Sequence, residues 1–200
     1  VATIPAELVK KLRDQTGAGM MECKAALTEA GGNLDEATVL LRKRGLAHAA
    51  KKAGRSMTQG LIGSYIHLGG KIGVLVELNC ESDFVARTDD FQTLLKELTM
   101  QVAAANPQYA RREDVPPAIL ERERDIYRGQ VKDSGKPPHV VDKIVEGKLS
   151  AFYEDNVLVD QISIRDSKVK VSQMIQAAIA KLGENISVAR FVRFKVGEGQ

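Results

Sequence analysis

The chain has no tryptophan, only two cysteines and three histidines, and no long apolar run. Each shortage excludes something. Cys23 and Cys80 alone cannot build a disulfide scaffold or a cysteine-rich zinc site. Both stand among apolar residues and read as buried thiols. His48, His67 and His139 are scattered without metal-ligand spacing, so neither a metal nor a cofactor is expected. No segment approaches the ~18 consecutive apolar residues of a membrane span. Residues 1–8 lack the basic start and apolar run of a secretion signal, and the expectation is a cytoplasmic chain with no membrane contact. An excess of one charge is missing too. The net charge of +3 is too small to demand a nucleic-acid partner.

What is present is the composition of a folded chain. Hydrophobic residues make up 44% and charged residues 28% of 200 residues, which suits one or two domains and excludes disorder. The small positive excess is uneven. Residues 1–55 hold ten Lys and Arg against six Asp and Glu; residues 56–200 hold nineteen against twenty. This asymmetry marks off a separate N-terminal module.

Residues 5–53 read as three short helices. Pro5 suits a first helical position, and Leu8, Val9 and Leu12 make one face. A second helix begins near Met20 and buries Cys23, Ala26, Leu27 and Ala30. A third sets Leu34, Ala37 and Leu41 on one side, and the helical pattern resumes through residues 47–53. A core this small suits a docking module. Residues 54–60 read as a linker. Residues 61–67 and 72–80 then form a hairpin around Leu68-Gly69-Gly70-Lys71, the second strand alternating strictly.

Thr88 caps the next helix, with Asp89 and Asp90 in its first turn and Phe91, Leu94, Leu95, Leu98 and Val102 as its stripe. Two narrow-seamed helices follow over about 117–154. Leu120, Tyr127 and Val131 seam the first, and Val141, Val145, Leu149 and Phe152 the second. Ser134-Gly135-Lys136-Pro137-Pro138 turns between them. Their thin seams predict a helical hairpin that protrudes. Residues 157–164 read as a strand or strand pair. Ser172 caps a helix with Ile175, Ala178, Ile179 and Leu182 on its face, ended by Gly183. Ile186, Val188, Val192, Phe194 and Val196 alternate as a last strand. The predicted class is α+β: a helical module over 1–53, then an antiparallel sheet with helices over 61–200.

Catalytic chemistry finds little footing. The stretch Gly63-Ser64-Tyr65-Ile66-His67-Leu68-Gly69-Gly70-Lys71-Ile72 has the wrong glycine spacing for a phosphate loop and joins two strands. No nucleophile elbow or Cys–His pair is indicated. The basic run from Arg42 to Arg55 has two readings. It could touch RNA in a translation or ribosome-associated protein, or it could be a solvated helix end whose cations suit the helix C-terminus. No aromatic is interleaved to stack on bases, and direct nucleic-acid binding is not expected. Asn79-Cys80-Glu81-Ser82-Asp83-Phe84-Val85-Ala86-Arg87 also leaves two readings open. Phe84 packs into the chain's own core, or an acid and an aromatic are presented to a partner at a strand tip.

Three motifs bear on that choice. Thr16-Gly17-Ala18-Gly19-Met20-Met21-Glu22-Cys23-Lys24-Ala25-Ala26-Leu27 closely resembles the N-terminal signature of the bacterial elongation factor Ts family. Glu77-Leu78-Asn79-Cys80-Glu81-Ser82-Asp83-Phe84-Val85-Ala86-Arg87 is similar to its second signature; Thr is more usual at position 82, and Ser82 keeps the hydroxyl. Gly183-Glu184-Asn185-Ile186 with Arg190-Phe191-Val192-Arg193-Phe194 resembles the end of its core.

The resemblance implies a non-enzymatic guanine-nucleotide exchange factor. Its partner would be elongation factor Tu, in the GDP-bound and nucleotide-free states. It implies that residues 1–53 form a ubiquitin-associated-like domain docking through Met20, Met21 and Lys24. Asp83 and Phe84, flanked by Ser82 and Val85, would enter the GTPase, dislocate its Mg²⁺ and release GDP. The hairpin matches the family's protruding arm. Longer members carry two sheet subdomains where this chain supplies one set, which implies the short form and makes a homodimer an expectation.

Overall fold

The computed structural model describes residues 4–132 and 137–198. Within these, eight α-helices and a three-stranded antiparallel sheet of order β1-β2-β3 give an α+β chain. The elements are α1 (Ala6–Thr16), α2 (Met20–Glu29), α3 (Leu34–Lys52), β1 (Gln59–Ile66), β2 (Ile72–Cys80), α4 (Asp83–Ala86), α5 (Asp89–Ala105), α6 (Pro117–Val131), α7 (Pro138–Asn156), α8 (Val171–Leu182) and β3 (Ile186–Lys195). They fall into two compact units, each discontinuous in sequence.

The first unit joins residues 1–61, 78–94 and 173–187. Its helical part is built on Val9, Leu12, Cys23, Ala26, Leu27, Ala37 and Leu41, with Ile4, Leu8 and Leu34 packed against them. The i, i+3 and i+4 spacing of these residues gives each helix one apolar stripe. Cys23 and Cys80 are both buried free thiols. Asn33 caps α3, its side chain accepting from the N–H groups of Asp35 and Glu36 at 3.0 and 3.2 Å. The helix then runs unbroken through Gly45, where a pause in the pattern was expected. A Cβ there would stand 3.3 Å from that of Ala180, so the missing side chain lets α3 lie close to α8.

The second unit joins residues 62–77, 95–172 and 188–200. In β2, Val74 and Val76 are buried while Leu75 between them is exposed, as the two-residue period requires. Helices α6 and α7 pack together as a hairpin, each beginning at a proline. Most of the expected turn at 134–138 lies outside the described residues. Gln101 of α5 is buried and donates to the Gln161 side chain and the Ile162 carbonyl, each at 3.1 Å; its oxygen accepts from the Ile164 N–H at 2.9 Å.

That network corrects one expectation. Residues 157–164 are not a strand. Val157 and Ile162 make isolated bridges to Tyr109 and Lys170, with a 3-10 turn over Leu158–Asp160 between them. The Gln161 N–H donates back to the Val157 and Leu158 carbonyls, which curls the segment. Ser172 likewise does not cap α8; the helix starts at Val171, which is buried and whose N–H donates to the Gln161 carbonyl. β1 starts at Gln59, two residues before the expected strand. Among the described residues no helix is long and apolar enough to cross a membrane.

Candidate functional site

β2 ends at Cys80, and the chain passes through Glu81 and Ser82 into the single turn α4. Ser82 is extended, with φ −131° and ψ 155°, and its hydroxyl accepts from the Val85 N–H at 3.4 Å. A serine oxygen in this position closes off a helix start that would otherwise leave its N–H groups unpaired. Thr88 closes the other end. Its hydroxyl donates to the Val85 carbonyl at 2.8 Å and accepts from the Phe91 N–H at 3.3 Å, so one residue ends α4 and begins α5.

Such a turn has one side to bury, and Ala86 occupies it. At about 100° per residue, a side chain two positions earlier points the opposite way. That residue is Phe84, which is 81% exposed. Of the two readings open for this phenylalanine, the one that packs it into the chain's own core is corrected by that exposure. Asp83 is half-buried and accepts from Arg87 Nη2 at 2.6 Å, one helical turn on. Val85 is half-buried against the body.

Two segments far apart in sequence hold this turn in place. The Glu184 carboxylate, just beyond α8, takes three hydrogen bonds. Its Oε2 accepts from the N–H groups of Glu81 and Ser82 at 3.1 and 2.9 Å, and its Oε1 from the Ser82 hydroxyl at 2.6 Å. Glu81 returns the grip, its Oε1 accepting from the Asn185 N–H at 2.7 Å. That bond, reinforced by Arg55 and opposed by partial burial, holds the Glu81 carboxyl below the usual carboxylate range. Asn185 is buried and its amide donates to the carbonyls of Ala53 and Arg55 at 3.4 and 3.2 Å. The Cys80 thiol donates to the Ser82 carbonyl at 3.1 Å; burial first, then the Glu184 charge, pushes its pKa up, which keeps it a thiol and unreactive.

Met20, Met21 and Lys24 form a second set at the start of α2. All three are exposed, the methionines at 57% and 76%, and Lys24 follows them by one helical turn, so they share a surface. Cys23, Ala26 and Leu27 fill the helix's other face. Two exposed methionines side by side make a soft, adaptable apolar patch. Three cations of the basic run that could have met RNA are engaged within the chain, while Arg42, Lys43 and Lys51 are exposed. Arg44 pairs with Glu29, Lys52 donates to the Gly183 carbonyl, and Arg55 contacts Glu81 at 3.5 Å.

Glu184 and Asn185 are the residues whose part in this site the sequence does not show; Thr88 caps α5 as expected, and its second role in closing α4 is the addition. A Gly-Glu-Asn run after a helix signals a helix end, but nothing local says that the Glu reaches the Ser82 turn. Among the described residues no group of three or more His, Cys, Asp or Glu is placed to hold a metal ion. The arrangement offers binding chemistry: an aromatic, an acid and two methionines directed outward.

A family model described as "Elongation factor TS" matches residues 5–198. The chain is 57% identical over 200 residues to the Elongation factor Ts of Solibacter usitatus (strain Ellin6076), covering all of this chain and 94% of that one. It is 59% identical over 195 residues to the Elongation factor Ts of Thermosipho melanesiensis, covering 98% of this chain and all of that one. It is 53% identical over 197 residues to that of Geobacter sulfurreducens, covering 98% and 91%. A match that takes in both signature segments and nearly the full length places the chain in the Elongation factor Ts family.

Proposed function

We propose that this chain is a guanine-nucleotide exchange factor for elongation factor Tu in the cytoplasm, working by protein binding and forming no covalent bond. The observation that carries the reading is Phe84, a phenylalanine held 81% exposed on a well-fastened turn within a family signature. Burying a phenylalanine is worth about 1.5–3 kcal/mol. A fold that leaves it in water keeps that gain for a partner.

The mechanism is one of linkage. GDP and Mg²⁺ stabilise one state of the GTPase, and a factor that binds the nucleotide-free state better must weaken nucleotide by the same ratio. Residues 1–53, as a ubiquitin-associated-like domain, dock on the nucleotide domain through Met20, Met21 and Lys24. Phe84 wedges between two packed helices there. The movement shifts groups that hold Mg²⁺, whose near-octahedral shell tolerates little distortion. Without the metal the phosphates of GDP lose neutralising charge, and the nucleotide leaves. Asp83 exchanges Arg87 for donors on the displaced segment, and Ser82 and Val85 keep the turn in shape. The α6–α7 hairpin serves as the arm of the factor.

A second copy of the chain is proposed to cover the sheet's open face. Ile62, Leu75 and Val192 line one shallow groove there, with Arg190 and Glu77 paired beside them at 2.7 Å. Alternation puts the exposed Phe194 on the same face. One apolar patch can meet its own copy about a two-fold axis.

The decisive measurement is release of labelled GDP from purified elongation factor Tu, with and without this chain. Acceleration by orders of magnitude at micromolar factor is the expected result. An unchanged release rate rejects the reading.

A further inference from the structure

The turn that carries Phe84 has little to hold it from within. It is a single helical turn, and a helix of this length has no stability of its own in water. Its direction must therefore be set from outside. Among the described residues, the side chain that accepts from both of the backbone N–H groups that lead into it is Glu184. The same carboxylate accepts a hydrogen bond from the Ser82 hydroxyl at 2.6 Å. That bond fixes the hydroxyl rotor, which leaves a lone pair of the Ser82 oxygen to face the Val85 N–H.

From this geometry we infer that Glu184 is a positioning residue for nucleotide exchange, setting the angle at which the Ser82–Ala86 turn presents Phe84. The inference rests on the exchange reading above. Glu184 touches no partner in this role; it acts through Ser82. Carboxylate acceptors serve here because a single group must satisfy two backbone donors and a hydroxyl at once. Hydrogen bonds to a charged group are about twice as strong as neutral ones. The return bond from the Asn185 N–H to Glu81 locks the same two segments a second time, so removing Glu184 loosens the turn without parting the segments. The apolar cluster of α1–α3, which carries Met20, Met21 and Lys24, does not depend on this carboxylate.

The test is GDP release from elongation factor Tu, read as maximal rate and half-saturating concentration, in the full chain carrying Glu184→Ala. The expected result is a maximal rate about tenfold lower with the half-saturating concentration unchanged, the mark of an interaction made only at the step itself. Glu184→Gln, whose amide oxygen still accepts from the two N–H groups, restores the rate to within about threefold. In a Phe84→Ala background Glu184→Ala adds no further loss, because a misaimed wedge and an absent wedge cost the same event. Should Glu184→Ala not stay folded, Glu184→Asp, one methylene too short to span the contact, carries the same comparison.

A wild-type maximal rate in Glu184→Ala overturns the inference, and so do losses that multiply with Phe84→Ala. Amide hydrogen exchange separates this failure from failure of the exchange reading. Faster exchange at Glu81 and Ser82 in Glu184→Ala is required whatever the nucleotide assay gives, and protected amides there overturn the positioning role by themselves.

Discussion

Phe84 and Phe91 stand seven residues apart and face opposite ways: Phe91 is fully buried under α5 and Phe84 projects into solvent. Thr88 sits between them and makes the reversal, ending one helix and starting the next. The same substitution at the two positions therefore separates function from folding. Phe84→Ala should leave the thermal midpoint unchanged and lower the rate of GDP release by more than tenfold, since a buried aromatic anchor is worth ~2 kcal/mol or more. Phe91→Ala should cost about 3–5 kcal/mol of stability. Melting curves beside labelled-GDP release decide it; a Phe84→Ala variant that melts early returns the residue to the core.

The methionine pair should behave differently from the phenylalanine. On the proposed docking role, Met20→Ala with Met21→Ala removes surface engaged before nucleotide release begins. The half-saturating concentration of factor should rise by roughly tenfold or more, with the maximal rate retained. Because both side chains are exposed, stability should stay within about 0.5 kcal/mol. A drop in maximal rate with unchanged half-saturation would place these residues elsewhere in the mechanism.

Acid should weaken the clasp from the Glu81 side. The bond from the Asn185 N–H, with Arg55 in support, lowers the pKa of this carboxyl in the folded chain. A lowered folded value means the stabilisation is complete above the unfolded value, about 4.3, and is lost as pH falls through the folded one. Glu81→Gln should thus lower the urea midpoint at pH 7 and converge toward wild type as the pH falls below the usual carboxylate range. Parallel pH profiles for the two proteins would deny the bond any such role.

Two glycines should respond to alanine with opposite signs. Gly60 has φ 153°, and a Cβ there would lie 2.3 Å from the Leu78 carbonyl oxygen. Strain and overlap together should cost about 2–4 kcal/mol. Gly147 lies in α7 with nothing within 4 Å of its added Cβ. Gly147→Ala should stabilise by about 0.5–1 kcal/mol through helix propensity and a less free unfolded chain. Urea denaturation of both variants gives the comparison directly.

If two chains pair through the open sheet face, a charge in its middle must separate them. Sedimentation should show a dimer at tens of micromolar for the parent chain and a monomer for Leu75→Glu. Leu75 is already half exposed, so the variant should fold normally. A parent chain that sediments as a monomer removes the pairing proposal.

Much of the fold was legible because it is periodic. The stripes Leu8–Val9–Leu12, Cys23–Ala26–Leu27 and Phe91–Leu94–Leu95–Leu98 each place a face without knowledge of what covers it, as do the alternating residues of β2. What stayed hidden depends on polar side chains reaching across the chain. Residues 157–164 alternate like a strand, yet Gln101 and Gln161, sixty positions apart, pair and curl them. Glu184 belongs to the same class, since its partners lie 102 and 103 positions away. The outward aim of Phe84 was visible only as an open alternative, because helical phase on a four-residue turn depends on which residue the body buries.

Asn185 ties the end of the helical module to the approach to α4, holding the carbonyls of Ala53 and Arg55 with its side chain and Glu81 with its backbone. On the proposed exchange reading, the methionine patch and the phenylalanine are therefore not two independent feet on a slack tether. Once the first lands, the second arrives at a high effective concentration, and little further freedom has to be surrendered when it does. A factor fastened in this way can let each foothold stay weak and still hold firmly with both, which leaves it easy to dislodge when the incoming nucleotide loosens either one.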